Sequence, residues 1–207
     1  MASTISAGTT SGTAIAIAGD TSGQLELQSN GTTTALTINT SQGVKVKNTI
    51  GVGDATPSTS GAGITFPATQ SASSDANTLD DYEEGTWTPN VGGNATYTVQ
   101  VGRYVKIGSQ VTVWGQMTIN TLGTGSNADI SGLPFTSANI TNNFGSGGIS
   151  FFENLAINQI AIYLRVEANS SLVRFATTSA SAASVTNAPA IFGNSTRMAF
   201  MATYIAA

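Results

Sequence analysis

The sequence lacks both cysteine and histidine, two side chains on which much protein chemistry depends. Their absence removes disulfides, thiolate nucleophiles, imidazole bases and the usual zinc ligands together. A serine triad is also incomplete without histidine. We therefore predict no catalytic residue, no cofactor and no metal site, and a protein that is not an enzyme.

Charge is scarce as well, since 9% of the residues are charged, against about 25% in typical domains. The formal net charge is −4. Nucleic-acid binding requires clustered basic side chains that neutralise phosphates. The basic residues are scattered instead, which excludes nucleic acid as a partner: Lys45, Lys47, Arg103, Lys106, Arg165, Arg174 and Arg197.

Long apolar runs are missing too. The apolar run at residues 14–18 is too short for a signal peptide or a membrane span, and no basic segment precedes it. We expect neither a signal peptide nor membrane insertion. We expect the protein to be synthesised in the cytoplasm.

Small polar residues and short apolar alternations fill the sequence. Two apolar residues spaced by two recur about every ten residues in its first part, with Gly-containing turns between them. This spacing places each pair on one face of a short strand, so residues 1–62 are predicted to form a meander or arm. The pairs are Ile15/Ile17, Leu25/Leu27, Leu36/Ile38 and Val44/Val46.

The arm carries too few large apolar side chains to offset the conformational entropy lost when about fifty residues become ordered. We therefore predict that it is completed by strands from other copies or from a larger particle.

Residues 63–85 are rich in Gly, Ser and Thr and contain a concentrated acidic stretch, which indicates a solvated neck or linker. Calcium binding and glycoside hydrolysis are the alternatives that clustered carboxylates suggest. The spacing supports neither, because residues 75–79 depart from the calcium-loop pattern. The acidic residues are Asp75, Asp80, Asp81, Glu83 and Glu84.

Residues 86–207 show longer strand patterns. Between Gln110 and Ile119, Val111, Val113, Met117 and Ile119 alternate with more polar residues, as in a half-buried strand. Residues 97–106 are predicted to form a strand broken at Gly102, followed by a tight turn at 108–109.

The remaining segments complete an all-β antiparallel sandwich, similar to a jelly roll. Alternation at residues 160–166 indicates a strand, with a helix over 155–167 as the alternative. Further strands are predicted at 144–152, 172–175 and 198–205.

Three aromatic residues need separate interpretation. Trp114 lies on the more polar face of its strand, where it can stack on a sugar or be covered by a second sheet or a neighbouring subunit, and we favour the buried interpretation. Trp87 is predicted to anchor the entrance to the domain. Trp114 and Tyr163 are the weak candidates for glycan contact.

Three segments resemble a module of virion proteins from marine and cyanobacterial tailed phages. They are residues 63–89 (GITFPATQSASSDANTLDDYEEGTWTP), 102–108 (GRYVKIG) and 130–139 (ISGLPFTSAN), in this order. Residues 23–38 (GQLELQSNGTTTALTI) also resemble segments that precede such modules in fibre proteins.

The resemblance implies a homotrimeric β-structured fibre, fibre tip or decoration on the virion surface, made in the host bacterial cytoplasm. Residues 1–62 would attach it to other virion proteins of the tail or capsid, and the β-sandwich would contact a host surface glycan or receptor. A head decoration protein is the alternative, and a virion-associated glycan-degrading enzyme is a weaker one.

Overall fold

The computed structural model describes residues 25–29, 33–41, 43–75, 77–158, 161–178, 184–187 and 189–207. All regular elements in these ranges are β-strands. No helix there is long and apolar enough to cross a membrane. The chain divides into two compact units, residues 1–69 and 70–207. The predicted Ile15/Ile17 pair lies outside the described residues.

The first unit contains an antiparallel meander of three strands and a separate parallel pair. Three of the predicted apolar pairs lie on the meander strands, which confirms them. Asn39 shapes the second turn, because its Oδ1 accepts hydrogen bonds from the backbone N–H groups of Ser41 (3.0 Å) and Gly43 (2.8 Å). The strands are β1 (Leu25–Ser29), β2 (Thr33–Ile38), β3 (Val44–Val46), β4 (Thr49–Gly51) and β5 (Gly63–Thr65).

The second unit is one nine-stranded sheet in the order β13-β12-β11-β10-β14-β8-β7-β6, with β9 also paired to β12. All of its strand pairs are antiparallel. The strand at 161–166 confirms the strand interpretation over the helical alternative. The strands are β6 (Tyr82–Trp87), β7 (Thr96–Ile107), β8 (Gln110–Thr121), β9 (Asp129–Ser131), β10 (Gly145–Glu153), β11 (Ala161–Val166), β12 (Leu172–Thr178), β13 (Thr186–Asn187) and β14 (Arg197–Ile205).

The sheet folds back on itself. Strands β10 and β11 pair only through Gly145 and Ser146, so β11 diverges from the five strands β6, β7, β8, β14 and β10, here called the five-stranded layer. At the opposite side, Asn90 and Ser131 exchange backbone hydrogen bonds of 3.1 and 2.7 Å, which link the chain after β6 to β9. The predicted two-layered β architecture is therefore built from one curled sheet rather than from two separate ones.

The core lies between the two layers. Phe175 of β12 contacts Phe200 of β14 edge to face, with ring centroids 6.1 Å apart, although these strands are not neighbours in the sheet. On β8 the predicted apolar face is buried, and Trp114 and the other alternate residues point away from the core. Period-2 alternation thus identified the inner face correctly.

Parts of residues 63–85, which were predicted to form a neck or linker, form strands. Strand β5 pairs with β4, and the boundary between the units falls after residue 69 rather than after 62. Residues 82–85 form the first part of β6 and pair with β7, so they belong to the sheet. The acidic stretch is consequently divided between a loop and a strand.

Asp81 is fully buried, which corrects its interpretation as solvated charge. Its carboxylate forms an ion pair with the buried Lys106 amino group, which also lies 5.2 Å from the centre of the Phe135 ring. Glu83 lies 3.7 Å from the same amino group. An unpaired buried charge is costly, so the buried Lys106 of β7 requires a buried partner. Asp81 supplies it, which fixes the start of β6 against β7.

Asp80 organises the exposed loop that precedes this ion pair. Its Oδ2 accepts a hydrogen bond of 2.8 Å from the backbone N–H of Ser73, and Gln70 donates to its Oδ1 at 3.2 Å. The hydrogen bond from Ser73 lowers the pKa of Asp80, because it stabilises the charged form. Asp80 therefore stabilises the conformation of this loop.

Tyr204 gives the second unit a defined response to alkaline pH. Burial raises its pKa from 10.0 to about 12, and its hydroxyl donates a hydrogen bond of 2.9 Å to the carbonyl of Phe135. Below pH 10 the ring is neutral in both states. Above that pH the unfolded state loses the proton first, so we expect the free energy of unfolding to fall by about 1.4 kcal/mol per pH unit up to about pH 12.

Urea denaturation at several pH values between 8 and 12 would measure this slope. The Tyr204→Phe variant is the matched control, and its slope should be shallower. Equal slopes in the two proteins would contradict the assignment to Tyr204.

Candidate functional site

A shallow depression of about 530 Å³ lies on the side of the five-stranded layer that faces away from the core. Its rim is formed by side chains from β6, β7, β8 and β14 together with Ser150 of β10. Apolar and polar groups are mixed there. The rim residues that matter chemically are Thr86, Val101, Arg103, Trp114 and Gln116.

Trp114 is held by the alternation of β8. Its neighbours Val113 and Gly115 point into the core, so the indole points outward and is 44% exposed. Across the strands it is paired with Arg103 on β7 and Met201 on β14. No second sheet of the described chain covers Trp114, so that form of the favoured buried interpretation is wrong, whereas cover by a neighbouring subunit stays a prediction. The predicted position of Trp114 on the more polar face is confirmed.

The floor of the depression is the backbone of paired Gly102 and Gly115. Trp87 lies beneath it and is 6% exposed, which agrees with its predicted anchoring role. Its indole N–H donates to the carbonyl oxygens of Arg103 (3.2 Å) and Trp114 (3.0 Å). The buried Trp87 side chain thus holds the backbone of the exposed Arg103 and Trp114 in place.

Gly102 does not interrupt the strand, contrary to the prediction of a break. A Cβ atom at this position would lie 2.5 Å from Nε1 of Trp87. Glycine is required because the indole packs directly against the strand, while the backbone stays extended through β7.

Three groups on the rim are available to a ligand. Arg103 and Gln116 form no side-chain hydrogen bond or ion pair within the described part of the chain, and the Trp114 indole offers an apolar plate beside them. By contrast, Gln100 already donates to the carbonyl of Pro89 at 2.9 Å. A flat apolar surface next to free donors suits a sugar ring that carries acceptor oxygens.

None of the described residues that line the depression is a carboxylate. Most glycosidases need a pair of Asp or Glu side chains on either side of the scissile bond. Among the described residues, no group of three or more His, Cys, Asp and Glu could hold a metal ion either. The described lining of the depression therefore consists of apolar side chains, hydroxyl and amide groups and one guanidinium group.

Tyr163, the second predicted glycan contact, lies elsewhere. It is exposed on β11, paired with Ala176 of β12, and it is not among the lining residues. The structure thus does not bring Tyr163 and Trp114 together in one site.

The sequence prediction missed Arg103 and Gln116, although a signal for Arg103 was present. The two-residue turn at Gly108 and Ser109 pairs Ile107 with Gln110. Counting four residues in each direction from that pair places Arg103 opposite Trp114. The hairpin register alone could have identified this neighbour.

The strands and their pairing define the class of fold. The chain is an all-β protein with an antiparallel, curled sheet. No protein-family model matches it, and no curated protein sequence matches it.

Among solved structures, the chain is similar to the crystal structure of the Dettilon tailspike protein (gp208). The TM-score is 0.51 at 13% sequence identity, and the match covers 76% of this chain. The matched region spans 31% of the tailspike chain, so the likeness concerns about a third of that protein. The likeness establishes a shared fold.

Proposed function

We propose that this chain is a structural protein of a tailed-bacteriophage virion, a short homotrimeric fibre or surface projection. Residues 1–62 attach it to other virion proteins, and the second unit is exposed for contact with the host surface. The observation that carries the proposal is the fold likeness to a phage tailspike over 76% of the chain. The resemblance of residues 63–89 to modules of marine and cyanobacterial phages supports a phage of that group.

The burial pattern of the first unit supports its role as an attachment segment. Wherever side-chain burial is described between residues 25 and 69, no residue is buried. A segment of this size without a core needs external surfaces in order to stay folded. Attachment to a larger particle supplies such surfaces.

The depression around Trp114 is the proposed contact site for a host surface glycan. The indole stacks on a sugar ring, while Arg103 and Gln116 donate hydrogen bonds to its oxygens. Because the lining lacks carboxylates, the chain holds the glycan without cleaving it.

The Trp114→Ala variant should bind purified host polysaccharide on the order of tenfold more weakly than the unmodified protein, since aromatic contacts contribute about 1 kcal/mol beyond buried area. Biolayer interferometry with immobilised polysaccharide measures the Kd. The Tyr163→Ala variant is the control and should keep the original Kd. An unchanged Kd for Trp114→Ala, or release of reducing ends by the unmodified protein, would contradict the proposed site.

The location in the particle is tested separately. Mass spectrometry of purified heads and tails should find the chain in the tail fraction. Recovery with heads would replace the fibre proposal by the head decoration alternative, and absence from both fractions would refute a virion role.

A further inference from the structure

Arg103 differs from the other basic residues of the second unit in having no partner. Within the described part of the chain, its guanidinium forms no ion pair and no hydrogen bond, and it lies over no aromatic ring. Each of the other four basic side chains of this unit has such a contact. These contacts are Lys106 with Asp81, Arg165 with Glu167, Arg174 with Asp129 and Glu167, and Arg197 with the Phe151 ring.

This free guanidinium lies on the rim of the depression around Trp114. Strand register places the exposed Arg103 directly between Thr86 on β6 and Trp114 on β8. Residues that are directly opposite on neighbouring antiparallel strands share one face, with their Cβ atoms about 5 Å apart. A sugar ring stacked on the indole therefore comes within reach of the N–H donors of Arg103.

No ion pair of the described residues neutralises this guanidinium. The described lining of the depression contains no carboxylate. Glu84 lies on the same face of β6, two residues before Thr86, but its Oε2 accepts a hydrogen bond of 3.0 Å from the Tyr82 hydroxyl. The charge of Arg103 is thus the charge of the described lining, on a chain whose formal net charge is −4.

We propose that the glycan bound in this depression is acidic, and that Arg103 binds a carboxylate or sulfate group on its sugar rings. The inference rests on the proposed glycan contact and names the class of glycan that the site takes. A guanidinium presents paired N–H donors in one plane, which match two oxygens of a carboxylate or sulfate group.

A neutral sugar would fit this position less well. A glycan seated on Trp114 covers Arg103 and removes water from its charge, and burying a charge is costly unless an opposite charge compensates. Sugar hydroxyls offer neutral acceptors, whereas hydrogen bonds that involve charged groups are about twice as strong as those between neutral ones. The balance of free energy therefore favours a sugar that carries a negative charge.

Removing the negative charge from the ligand tests the proposal. The probe is the purified host polysaccharide in three forms, namely native, carboxyl-reduced and desulfated. In biolayer interferometry, the unmodified protein should bind at least one neutralised form on the order of tenfold more weakly than the native form. The form that loses affinity shows whether the recognised group is a carboxylate or a sulfate.

Arg103→Gln removes the charge from the protein and keeps an amide donor. Its Kd for the native polysaccharide should rise by a similar factor. Its Kd for the neutralised form should equal that of the unmodified protein, because the two changes remove the same contact. This unchanged Kd would also show that the variant is folded.

Arg197→Gln is the matched control, because it changes the net charge by the same amount on the same face of the five-stranded layer. Arg197 lies 4.8 Å from the centre of the Phe151 ring and is not among the residues that line the depression. We expect this variant to keep the original Kd. A loss as large as that of Arg103→Gln would overturn the assignment to Arg103.

The outcomes separate this inference from the proposed glycan contact. Equal binding of all three forms, or an equal effect of Arg103→Gln on native and neutralised forms, would overturn the acidic class. If Trp114→Ala still weakens binding in that case, the contact site itself stands. Full affinity of Trp114→Ala would instead refute the site, and absence of binding by the unmodified protein would refute both proposals.

Discussion

Trp87→Ala should lower the free energy of unfolding of the second unit by about 3–5 kcal/mol, as expected for a buried tryptophan reduced to alanine. The indole is almost fully buried and meets Phe200 edge to face at 6.1 Å. Its removal leaves a cavity beside Gly102 and Gly115, which have no side chains to fill it. It also leaves the carbonyls of Arg103 and Trp114 without the indole donor.

Urea denaturation followed by far-ultraviolet circular dichroism would measure this loss, since the signal does not depend on the deleted indole. Trp114→Ala is the matched control, because it removes the same side chain from the exposed surface of the same sheet. We expect a change of less than about 1 kcal/mol for it. Similar losses in both variants would contradict the anchoring role of Trp87.

Lys106→Met should also be strongly destabilising, by about 3–5 kcal/mol, because it leaves the fully buried Asp81 carboxylate unpaired. Asp81 Oδ1 already has no hydrogen-bond partner among the described residues, so nothing nearby can take over from the lysine. The Lys106→Met/Asp81→Leu double variant removes both charges. Its free energy of unfolding should return to that of the unmodified protein or exceed it.

Chemical denaturation of the single and double variants at neutral pH forms a double-mutant cycle. Glu83→Gln is the control, since Glu83 is partly exposed and lies 3.7 Å from the amino group. We expect a change of less than about 1 kcal/mol for it. If Lys106→Met costs no more than Glu83→Gln, the buried ion pair is not important for stability.

Local patterns predicted the strands well wherever one face meets water. On β8 the alternation of Val111, Val113, Met117 and Ile119 is imposed by the strand period, and the structure buries all four. The pairs of the meander follow the same rule. The all-β architecture was therefore accessible from the sequence.

Features that depend on residues far apart in the sequence could not be predicted from local patterns. A glycine within a strand pattern predicts a break, and only the contact of Gly102 with Trp87 explains why a glycine lies inside a continuous strand. Asp81 looks like solvated charge in the sequence, and its buried pairing depends on Lys106, 25 residues later. The bond between Asn90 and Ser131 that closes the curled sheet has no local signal either.

The candidate site was predicted in part. Trp114 was identified because an aromatic residue among polar neighbours is unusual on a strand. Its depression also needs Ser150 and Ala199, which only the placement of β14 beside β8 and β10 brings close. Tyr163 has the same local character, but its strand lies in the other part of the sheet.

The position of β14 determines when this sheet can be completed during protein synthesis. The strand that comes last in the sequence, Arg197–Ile205, lies between β8 and β10 and separates strands made much earlier. Until β14 has emerged from the ribosome, the backbone edges of β8 and β10 that pair with it have no partner strand. Such topology, rich in long-range contacts, folds slowly, so completion of this sheet is expected to be a late step in folding of the nascent chain.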